Sequence, residues 1–352
     1  MQSSTKKKLA YARTLDFKTG RVEMAHGSGG RAMAQLIDQL FMAAFDNDFL
    51  RRMNDQASFI SPGGRMVMAT DSHVVTPLFF PGGDIGCLSV HGTVNDVVMS
   101  GAKPLYLSAG FILEEGFPLA DLKRIVESMA NAAQAVPVPV ITGDTKVVEQ
   151  GSGDGVFITT TGVGLVPENV YISSECAKPG DSILVSGTIG DHGIAVMLAR
   201  DDFSFQSSLE SNTPSLHELV VDMVNTVPGI HVLRDPTRGG VAAALNEIAQ
   251  QSETGMMLYE ERIPVKPQVS AACEFLGFDP MYVANEGKLI AICAPEDTDK
   301  LLDSMRAHPL GRNAAVIGEV IADSHCFVQM KTRFGGTHVV DWLSGDQLPR
   351  IC

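Results

Sequence analysis

The sequence predicts an α+β protein built from two domains. The chain has 352 residues, which is enough for two domains that each bury a core of their own. Apolar runs of strand length alternate with amphipathic helical patterns along the chain. A polar segment at residues 167–178 separates the two halves and is predicted to be a linker.

Composition limits the partners that this protein can have. Lys and Arg number 27 against 41 Asp and Glu, and the net charge of −14 argues against nucleic acid and anionic membranes. A phosphate ligand would therefore need backbone N–H groups, a few cations and a divalent metal. The six cysteines form no CxxC or Cys/His pattern, which argues against a zinc site and a disulfide framework. With no signal peptide and no apolar run of membrane length, a soluble protein of the reducing cytoplasm is predicted.

The first half opens with a polar extension at residues 1–21 and the glycine-rich motif HGSGG at 26–30. An apolar pattern of helical spacing follows at 33–41, so this loop is predicted to open a helix. Backbone N–H groups in such a loop can bind phosphate, although a simple flexible turn has the same composition. Strands are predicted at 66–70, 105–113, 138–141 and 155–164, and helices at 86–100 and 118–136.

Three acidic residues are associated with these apolar elements. Asp71 is predicted to end a strand, Asp96 lies in an apolar helix, and Asp144 follows a strand. Each of them alone could cap a turn or lie on a solvated face. Lys146 stands two residues after Asp144. Three carboxylates, one lysine and a glycine-rich loop are what a magnesium-nucleotide site needs, because they supply oxygen ligands for Mg²⁺ and a positive charge for phosphate.

The second half is predicted to be an α+β domain. Its strands are expected at 183–186, 281–284, 289–292, 315–321, 326–330 and 338–342, and its helices at 194–198, 216–227, 241–250 and 296–308. A second glycine-rich loop at 187–193 is either an anion loop or a plain strand-turn-helix connection. In LRDPTRGG at 233–240, Asp235 and Thr237 could cap the next helix, while the two arginines would also suit phosphate. Glu286 is either a surface turn residue or a general base.

The chain ends on a thiol, Cys352, after a polar segment that is predicted to be a mobile arm. Ten residues follow Trp342, and at about 3.3 Å each they could span roughly 33 Å, enough to carry the sulfur into a cleft. Cys352 is either a covalent carrier or an incidental terminal cysteine. The roles of His73, His91 and His192 stay open between packing and ligand binding, with packing favoured.

Four motifs together resemble one protein superfamily. They are HGSGG at 26–30, TDS at 70–72, ND at 95–96 and GDTK at 143–146. This set is similar to the superfamily of AIR synthetase, selenophosphate synthetase and thiamine-phosphate kinase, and the terminal PRIC resembles the HypE family of hydrogenase maturation factors. The resemblance covers residues 22–352. It implies a PurM-like fold with an extension at 1–21, an ATP-binding α/β domain with a dimerising sheet at 22–166, an α+β domain at 167–342 and a flexible tail at 343–352.

The resemblance also implies a reaction. Cys352 would receive a carbamoyl group from the carbamoyltransferase HypF, and ATP-dependent dehydration would convert it into a thiocyanate. The cyanide would then pass to iron on the HypC–HypD scaffold, for the metal site of [NiFe]-hydrogenase. A homodimer that pairs through the first-domain sheets is implied as well.

Particular residues of this sequence take roles from the same resemblance. Asp71, Asp96 and Asp144 would bind Mg²⁺. The catalytic residues would be Cys352 as carrier, Glu286 as proton acceptor, Lys146 on the transferring phosphate and His26 as a positioning group. The ATP-binding residues would be Gly27, Ser28, Gly29, Gly30, Asn95, Asp96, Thr145 and Lys146.

Two rival interpretations have specific signatures. A selenophosphate synthetase normally carries a reactive cysteine or selenocysteine near its glycine-rich loop, whereas the first cysteine here is Cys87. An ATP-gated scaffold would use the tail for docking alone, without covalent change at Cys352.

Overall fold

The computed structural model describes residues 14–200, 209–211, 213–343 and 351. Its strands are β1 Arg65–His73, β2 Phe79–Phe80, β3 Gly83–Asp84, β4 Lys103–Glu114, β5 Val140–Val148, β6 Val156–Val166, β7 Ser182–Val185, β8 Val232–Arg234, β9 Gly255–Tyr259, β10 Ile290–Cys293, β11 Ala315–Ile321, β12 Val328–Lys331 and β13 Thr337–Val339. Its α-helices are α1 Arg31–Leu36, α2 Met42–Phe45, α3 Ile85–Val98, α4 Leu119–Ala135, α5 Asp191–Leu198, α6 His217–Thr226, α7 Gly240–Ser252, α8 Pro267–Leu276 and α9 Thr298–Ala307.

Four strands of the first half form one sheet in the order β1-β6-β4-β5. Buried residues alternate with more exposed ones along β6, which indicates one covered face and one open face. Helix α3 packs on β1, β4 and β6, and α4 packs on α3, so these helices form the covered side. Met68 and Ile112 lie on the open side, with 73% and 44% of their surface exposed.

Helix α3 positions one of the predicted acids. Its N-terminus is fixed by Asp84, whose Oδ1 accepts hydrogen bonds from Gly86 N at 2.8 Å and Cys87 N at 3.0 Å. Most of its residues are buried between the sheet and α4. Because the helix is held at its start and on its sides, Asp96 near its end is also held in place.

The second half forms a seven-stranded sheet in the order β13-β12-β9-β11-β7-β10-β8. It is antiparallel except for the parallel pair of β12 and β9. One hydrophobic core contains residues of both halves, for example Leu88 from α3 and Leu219 from α6. The two halves therefore pack against each other, and the region between them can form a cleft. None of the helices in the described ranges is both long and apolar enough to cross a membrane.

Several local predictions were wrong. Residues 281–284 are not a strand, because Pro280–Tyr282 forms a 3-10 helix that Asp279 caps through Met281 N at 2.9 Å. Asp71 lies inside β1 and Asp144 inside β5, not beyond strand ends. Helix α8 and strand β9 were missed, and so was the short strand β8.

The predicted loose extension at 1–21 is wrong for its described part, residues 14–21. Leu15 and Phe17 pack against the hydrophobic core, and Leu15 N donates a hydrogen bond to Gln39 Oε1 at 2.8 Å. Two apolar side chains that bury themselves are enough to fix a short segment. In the predicted mobile arm, residues 344–350 and Cys352 lie outside the described residues, whereas Ile351 is described.

Candidate functional site

Four acidic residues come together between the two halves of the chain. Asp71 lies on the covered face of β1, Asp96 near the end of α3, Asp235 just after β8 and Glu286 just before β10. Burial, together with the negative charges of Asp235 and Asp71, raises the pKa of Asp96 to about 8. Burial raises the pKa of Asp235 to about 6. The structure therefore concentrates negative charge in a place of limited water access.

The same cause acts on Glu286, which is 5% exposed. The pKa of Glu286 is raised well above the ordinary value. Burial is the largest cause, and the negative charges of Asp235, Asp71 and Asp96 act in the same direction. Asp96 and Asp235 share a side-chain hydrogen bond. Since an ionised carboxylate only accepts, one of the two carboxyl groups holds the proton of this hydrogen bond.

Two arginines stand beside these acids. Arg238 lies 3.8 Å from Asp71 Oδ1, and its side chain is largely exposed. Arg234 pairs with Glu247 on α7, and its positive charge lowers the pKa of Asp96. Both arginines line a cleft of about 590 Å³ that Asp96 and Asp235 also line. A cleft with acids at one side and guanidinium groups at another matches a phosphate ligand that carries a divalent metal.

The glycine-rich loop and the GDTK motif lie at the other edge of the first sheet. Residues Met24–Gly27 form a 3-10 helix beside β5, where a Cβ on Gly27 would come within 2.6 Å of Val147 N. His26 in this helix is buried, its Nδ1 accepts a hydrogen bond from Glu23 N at 2.9 Å, and burial lowers its pKa. Only glycine allows the loop to approach the strand this closely.

Within a single chain, the structure separates Asp144 from the other two predicted metal ligands, Asp71 and Asp96. Strands β1 and β5 are opposite edges of the four-stranded sheet, so roughly 14 Å separates them at about 4.8 Å per strand. Their side chains also point to opposite faces, since Asp71 faces α3 while Asp144 is on the open side. Asp144 pairs instead with Lys146 at 2.9 Å, and this lysine lowers the pKa of Asp144.

Two of the predicted ATP-binding residues have contacts within the chain. Asn95 is 1% exposed, and its Oδ1 accepts a hydrogen bond from Leu216 N at 2.8 Å while its Nδ2 donates to Pro214 O at 3.4 Å. Asn95 thus holds the start of α6 and does not face the cleft. Thr145 is buried on the face opposite to Lys146, where it lines an apolar cavity of about 190 Å³ under α1 and α2.

The acids nevertheless fit a magnesium ion that arrives with a nucleotide. Among the described residues, no group of three or more His, Cys, Asp and Glu side chains could hold a metal ion. Mg²⁺ is usually bound through one or two carboxylates together with substrate phosphates, and it does not need a cage made of protein alone. Asp71 and Asp96 interact strongly enough to shift a pKa, and a cation between them would relieve their repulsion.

The penultimate residue of the chain reaches this region. Ile351 is 3% exposed, and its carbonyl oxygen lies 3.0 Å from His192 Nε2 on α5. The next residue of α5, Gly193, donates from its backbone nitrogen to Ala284 O at 3.0 Å, two positions before Glu286. Helix α5 therefore contacts both Ile351 and the segment that carries Glu286.

The sequence interpretation missed two charged residues near this segment. Lys288 is 4% exposed, and burial lowers its pKa to about 8. Asp191 at the start of α5 pairs with Lys266 at 2.9 Å. The NEGK sequence contained the signal for Lys288, because a lysine two residues from Glu286 lies on the same segment.

The comparisons with known proteins agree with this two-domain fold. The family "AIR synthase related protein, N-terminal domain" matches residues 53–166, and its C-terminal counterpart matches residues 178–331. The carbamoyl dehydratase HypE of Cupriavidus necator is 67% identical over 346 residues, covering 98% of this chain and 99% of that protein. The relative from Escherichia coli K12, also a carbamoyl dehydratase HypE, is 44% identical and covers 94% of this chain and 99% of that protein.

Two solved structures extend the comparison. A HypE crystal structure in complex with ATP superposes with a TM-score of 0.90 at 47% identity, covering 94% of this chain and 99% of that one. A HypE–HypF complex gives a TM-score of 0.77 at 48% identity, covering 88% of this chain and 99% of the matched one. The two-domain fold and the acidic cleft thus define an AIR synthase related protein. Within that class, the chain belongs to the HypE family of carbamoyl dehydratases.

Proposed function

We propose that this chain uses ATP to dehydrate an S-carbamoyl group on its own Cys352 to a thiocyanate, which supplies cyanide for the iron of [NiFe]-hydrogenase. The observation that carries the proposal is the burial of Ile351 against His192 on α5, a helix that also contacts the segment before Glu286. One peptide bond joins Ile351 to Cys352, and a tail held at Ile351 would present the thiol for the reaction proposed at the acidic cleft. A reducing cytoplasm would keep Cys352 free to accept its cargo.

The reaction needs ATP because an amide oxygen is a very poor leaving group. The carbonyl oxygen of the carbamoyl group attacks the γ-phosphorus, the bond from phosphorus to ADP breaks, and a phosphorylated oxygen remains on carbon. The C–O bond then breaks, phosphate leaves, and two protons are lost from nitrogen as the nitrile forms. Glu286 is the proposed proton acceptor, since a raised pKa matches a base that works near neutral pH.

Asp71 and Asp96 are the proposed magnesium ligands within one chain. The bound ion would neutralise charge on the phosphates of ATP. Arg234 and Arg238 line the cleft and can donate hydrogen bonds to phosphate oxygens.

We propose that a homodimer completes this site. The open face of the first sheet exposes Met68 and Ile112, and a second copy would cover these apolar side chains. A two-fold axis parallel to the strands exchanges the two edges of the sheet, so β5 of one copy would lie beside β1 of the other. Asp144 and Lys146 of one copy would then adjoin the acidic cleft of its partner, together with the glycine-rich loop. In this arrangement Asp144 would be the third magnesium ligand.

Met68→Lys is expected to weaken the dimer at least 100-fold, because it places a charge on a sheet face that the dimer would desolvate. The dissociation constant is measured by sedimentation equilibrium. Phe334→Lys is the matched control, since Phe334 is 93% exposed in the turn between β12 and β13. A Met68→Lys protein that dimerises like the control would show that the copies meet elsewhere.

Asp96→Asn is expected to lower turnover of magnesium ATP at least ten-fold, because one charged ligand is lost. The same change should raise the melting temperature of the metal-free protein at pH 8 by about 2–4 °C, since burial and like charges disfavour an ionised Asp96. The sign follows from the raised pKa, which means that deprotonation costs stability as pH rises. Thermal unfolding in the presence of a chelator measures the change in melting temperature, and ATPase assays measure the turnover. Asp303→Asn, on the exposed side of α9, should change neither quantity, and native turnover in Asp96→Asn would exclude the metal role.

The partners are also proposed. A relative was solved as a HypE–HypF complex, and we propose that a HypF carbamoyltransferase loads Cys352 here as well. The thiocyanate would then be delivered to a HypC–HypD iron scaffold, with the tail leaving the cleft to reach it.

The mass of the tail peptide tests the proposed function directly. The protein is incubated with the carbamoyltransferase, carbamoyl phosphate and magnesium ATP, and the peptide that contains Cys352 is analysed. A dehydratase yields a peptide one water lighter than the carbamoyl adduct. An adduct that persists in the presence of ATP would favour the scaffold, in which the tail docks without changing covalently.

A further inference from the structure

Two independent contacts fix the penultimate residue of the chain. The side chain of Ile351 packs into the core that both halves share, and only 3% of the residue is exposed. Its carbonyl oxygen lies 3.0 Å from His192 Nε2, although 159 positions separate the two residues. A carbonyl oxygen can only accept a hydrogen bond, so His192 must carry its proton on Nε2.

The other ring nitrogen of His192 has a partner that suits this tautomer. Nδ1 lies 2.7 Å from the hydroxyl of Ser211, which therefore donates to it. His192 is 1% exposed, and burial lowers its pKa to about 4, so the ring is neutral near pH 7. The Phe80 ring meets it edge-on, with the centroids 5.7 Å apart. The imidazole thus has one fixed orientation, with its N–H directed at the tail.

The segment that carries Ser211 is itself held by the first half of the chain. Ser211 N donates to Pro81 O at 2.8 Å. Gly82 has φ +89°, and a Cβ at this position would come within 2.3 Å of Ser211 O, so the turn after β2 closes on this segment only with glycine there. Both halves of the chain therefore contribute to the contact that holds Ile351.

Helix α3 holds the continuation of this segment. Asn95 binds Leu216 N and Pro214 O, and Cys87 Sγ lies 3.9 Å from Thr213 Oγ1. Cys87 and Asn95 are eight residues apart and share one side of α3. Asp96 follows Asn95 directly. The helix that presents a proposed magnesium ligand is thus connected, through Ser211 and residues 213–216, to the histidine that holds the tail.

We propose that His192, oriented by Ser211, is a positioning residue that docks the C-terminal tail by binding the carbonyl of Ile351. We call His192, Ser211 and Ile351 the tail anchor. Because one peptide bond joins Cys352 to Ile351, docking keeps the sulfur of Cys352 within a few ångström of the anchored carbonyl of Ile351. An ordinary buried histidine would satisfy Nε2 with a neighbouring loop, whereas here the partner is next to the residue that carries the cargo. That docking serves catalysis rests on the proposed function, but the docking itself does not.

Trimming of the full-length protein by carboxypeptidase Y measures the anchor without ATP or a carbamoyl group. The protease needs a free, extended end, so its rate follows the fraction of undocked tail. His192→Leu removes the donor and should speed the loss of Cys352 and Ile351, followed by intact mass, on the order of ten-fold. Ser211→Ala should give a smaller increase. His192→Gln keeps an N–H at a similar reach and should stay within about two-fold of the native rate.

Labelling of Cys273 and Cys293 with iodoacetamide reports whether each variant is folded, because both thiols are buried. If His192→Leu exposes them, Ser211→Ala takes its place and is judged against His192→Gln. Native trimming rates in folded variants that lack the Nε2 donor or the Ser211 hydroxyl would refute the anchor. Equal acceleration in His192→Gln would refute it too, because a merely structural histidine would not be rescued by an N–H donor.

Dehydration assays on the same variants separate this inference from the proposed function. If trimming depends on His192 but the native protein shows no dehydration, the anchor is supported and the proposed reaction is refuted. If the native protein catalyses dehydration and His192→Leu matches it in both dehydration and trimming, the reaction is supported and the anchor is refuted.

Discussion

Cys352→Ala is expected to abolish thiocyanate formation and to leave the affinity for magnesium ATP unchanged. The thiol of Cys352 is the proposed carrier of the carbamoyl group, so no residual rate is expected without it. The acids and arginines that line the cleft belong to α3, to α7, and to β8 with the segment that follows it, and alanine at the terminus removes none of them. Isothermal titration with a non-hydrolysable ATP analogue and mass analysis of the tail measure the two quantities.

Cys326→Ala is the matched control for this experiment. Cys326 is a half-buried thiol of the second domain, far along the sheet from the cleft, and its loss should affect neither binding nor product. A Cys352→Ala protein that loses its affinity for the nucleotide would show that the terminus is part of the binding site. A variant that still forms product would mean that the cargo is carried by another group.

The sequence predicted the elements that carry the acids better than it predicted the site they form. Asp71 and Asp96 were recognised because strand and helix periodicity shows which residues belong to apolar elements. Asp144 was assigned to the same site, but periodicity does not reveal the order of strands in a sheet. β5 is placed at the far edge by its parallel pairing with β4, a long-range property that no local pattern encodes. The side-chain alternation within β5 then directs Asp144 to the open face.

Other parts of the site depend on contacts between distant residues. LRDPTRGG suggested a helix cap or a phosphate contact, and only the packing of the two halves shows that Asp235 shares a hydrogen bond with Asp96. His192 had no local signal for its role, since its partner is at the end of the chain. The 281–284 segment was taken as a strand because it is apolar, yet the proline before it and the Asp279 cap favour a 3-10 turn.

Glu286→Gln is expected to lower the rate of dehydration about 10²- to 10⁴-fold while nucleotide binding persists, because glutamine cannot accept the amide protons. The native rate should rise with pH as Glu286 loses its proton. The midpoint of this rise should lie at a higher pH than the usual pKa of a glutamate, since burial raises the pKa of Glu286. The glutamine variant should lose this part of the pH profile. Single-turnover dehydration of a pre-loaded tail, followed from pH 5 to 9, measures both.

The stability of the metal-free protein provides a second readout for Glu286. Burial and the charges of Asp235, Asp71 and Asp96 make its ionisation costly, so Glu286→Gln should raise the melting temperature at pH 8 even as it lowers the rate. Glu274→Gln, exposed on α8, should change neither the rate nor the stability. If the glutamine variant has the native rate and pH profile, another group must be the base. One with lower activity and lower stability would instead indicate damage to the fold, because removal of a repelled charge should stabilise this cleft.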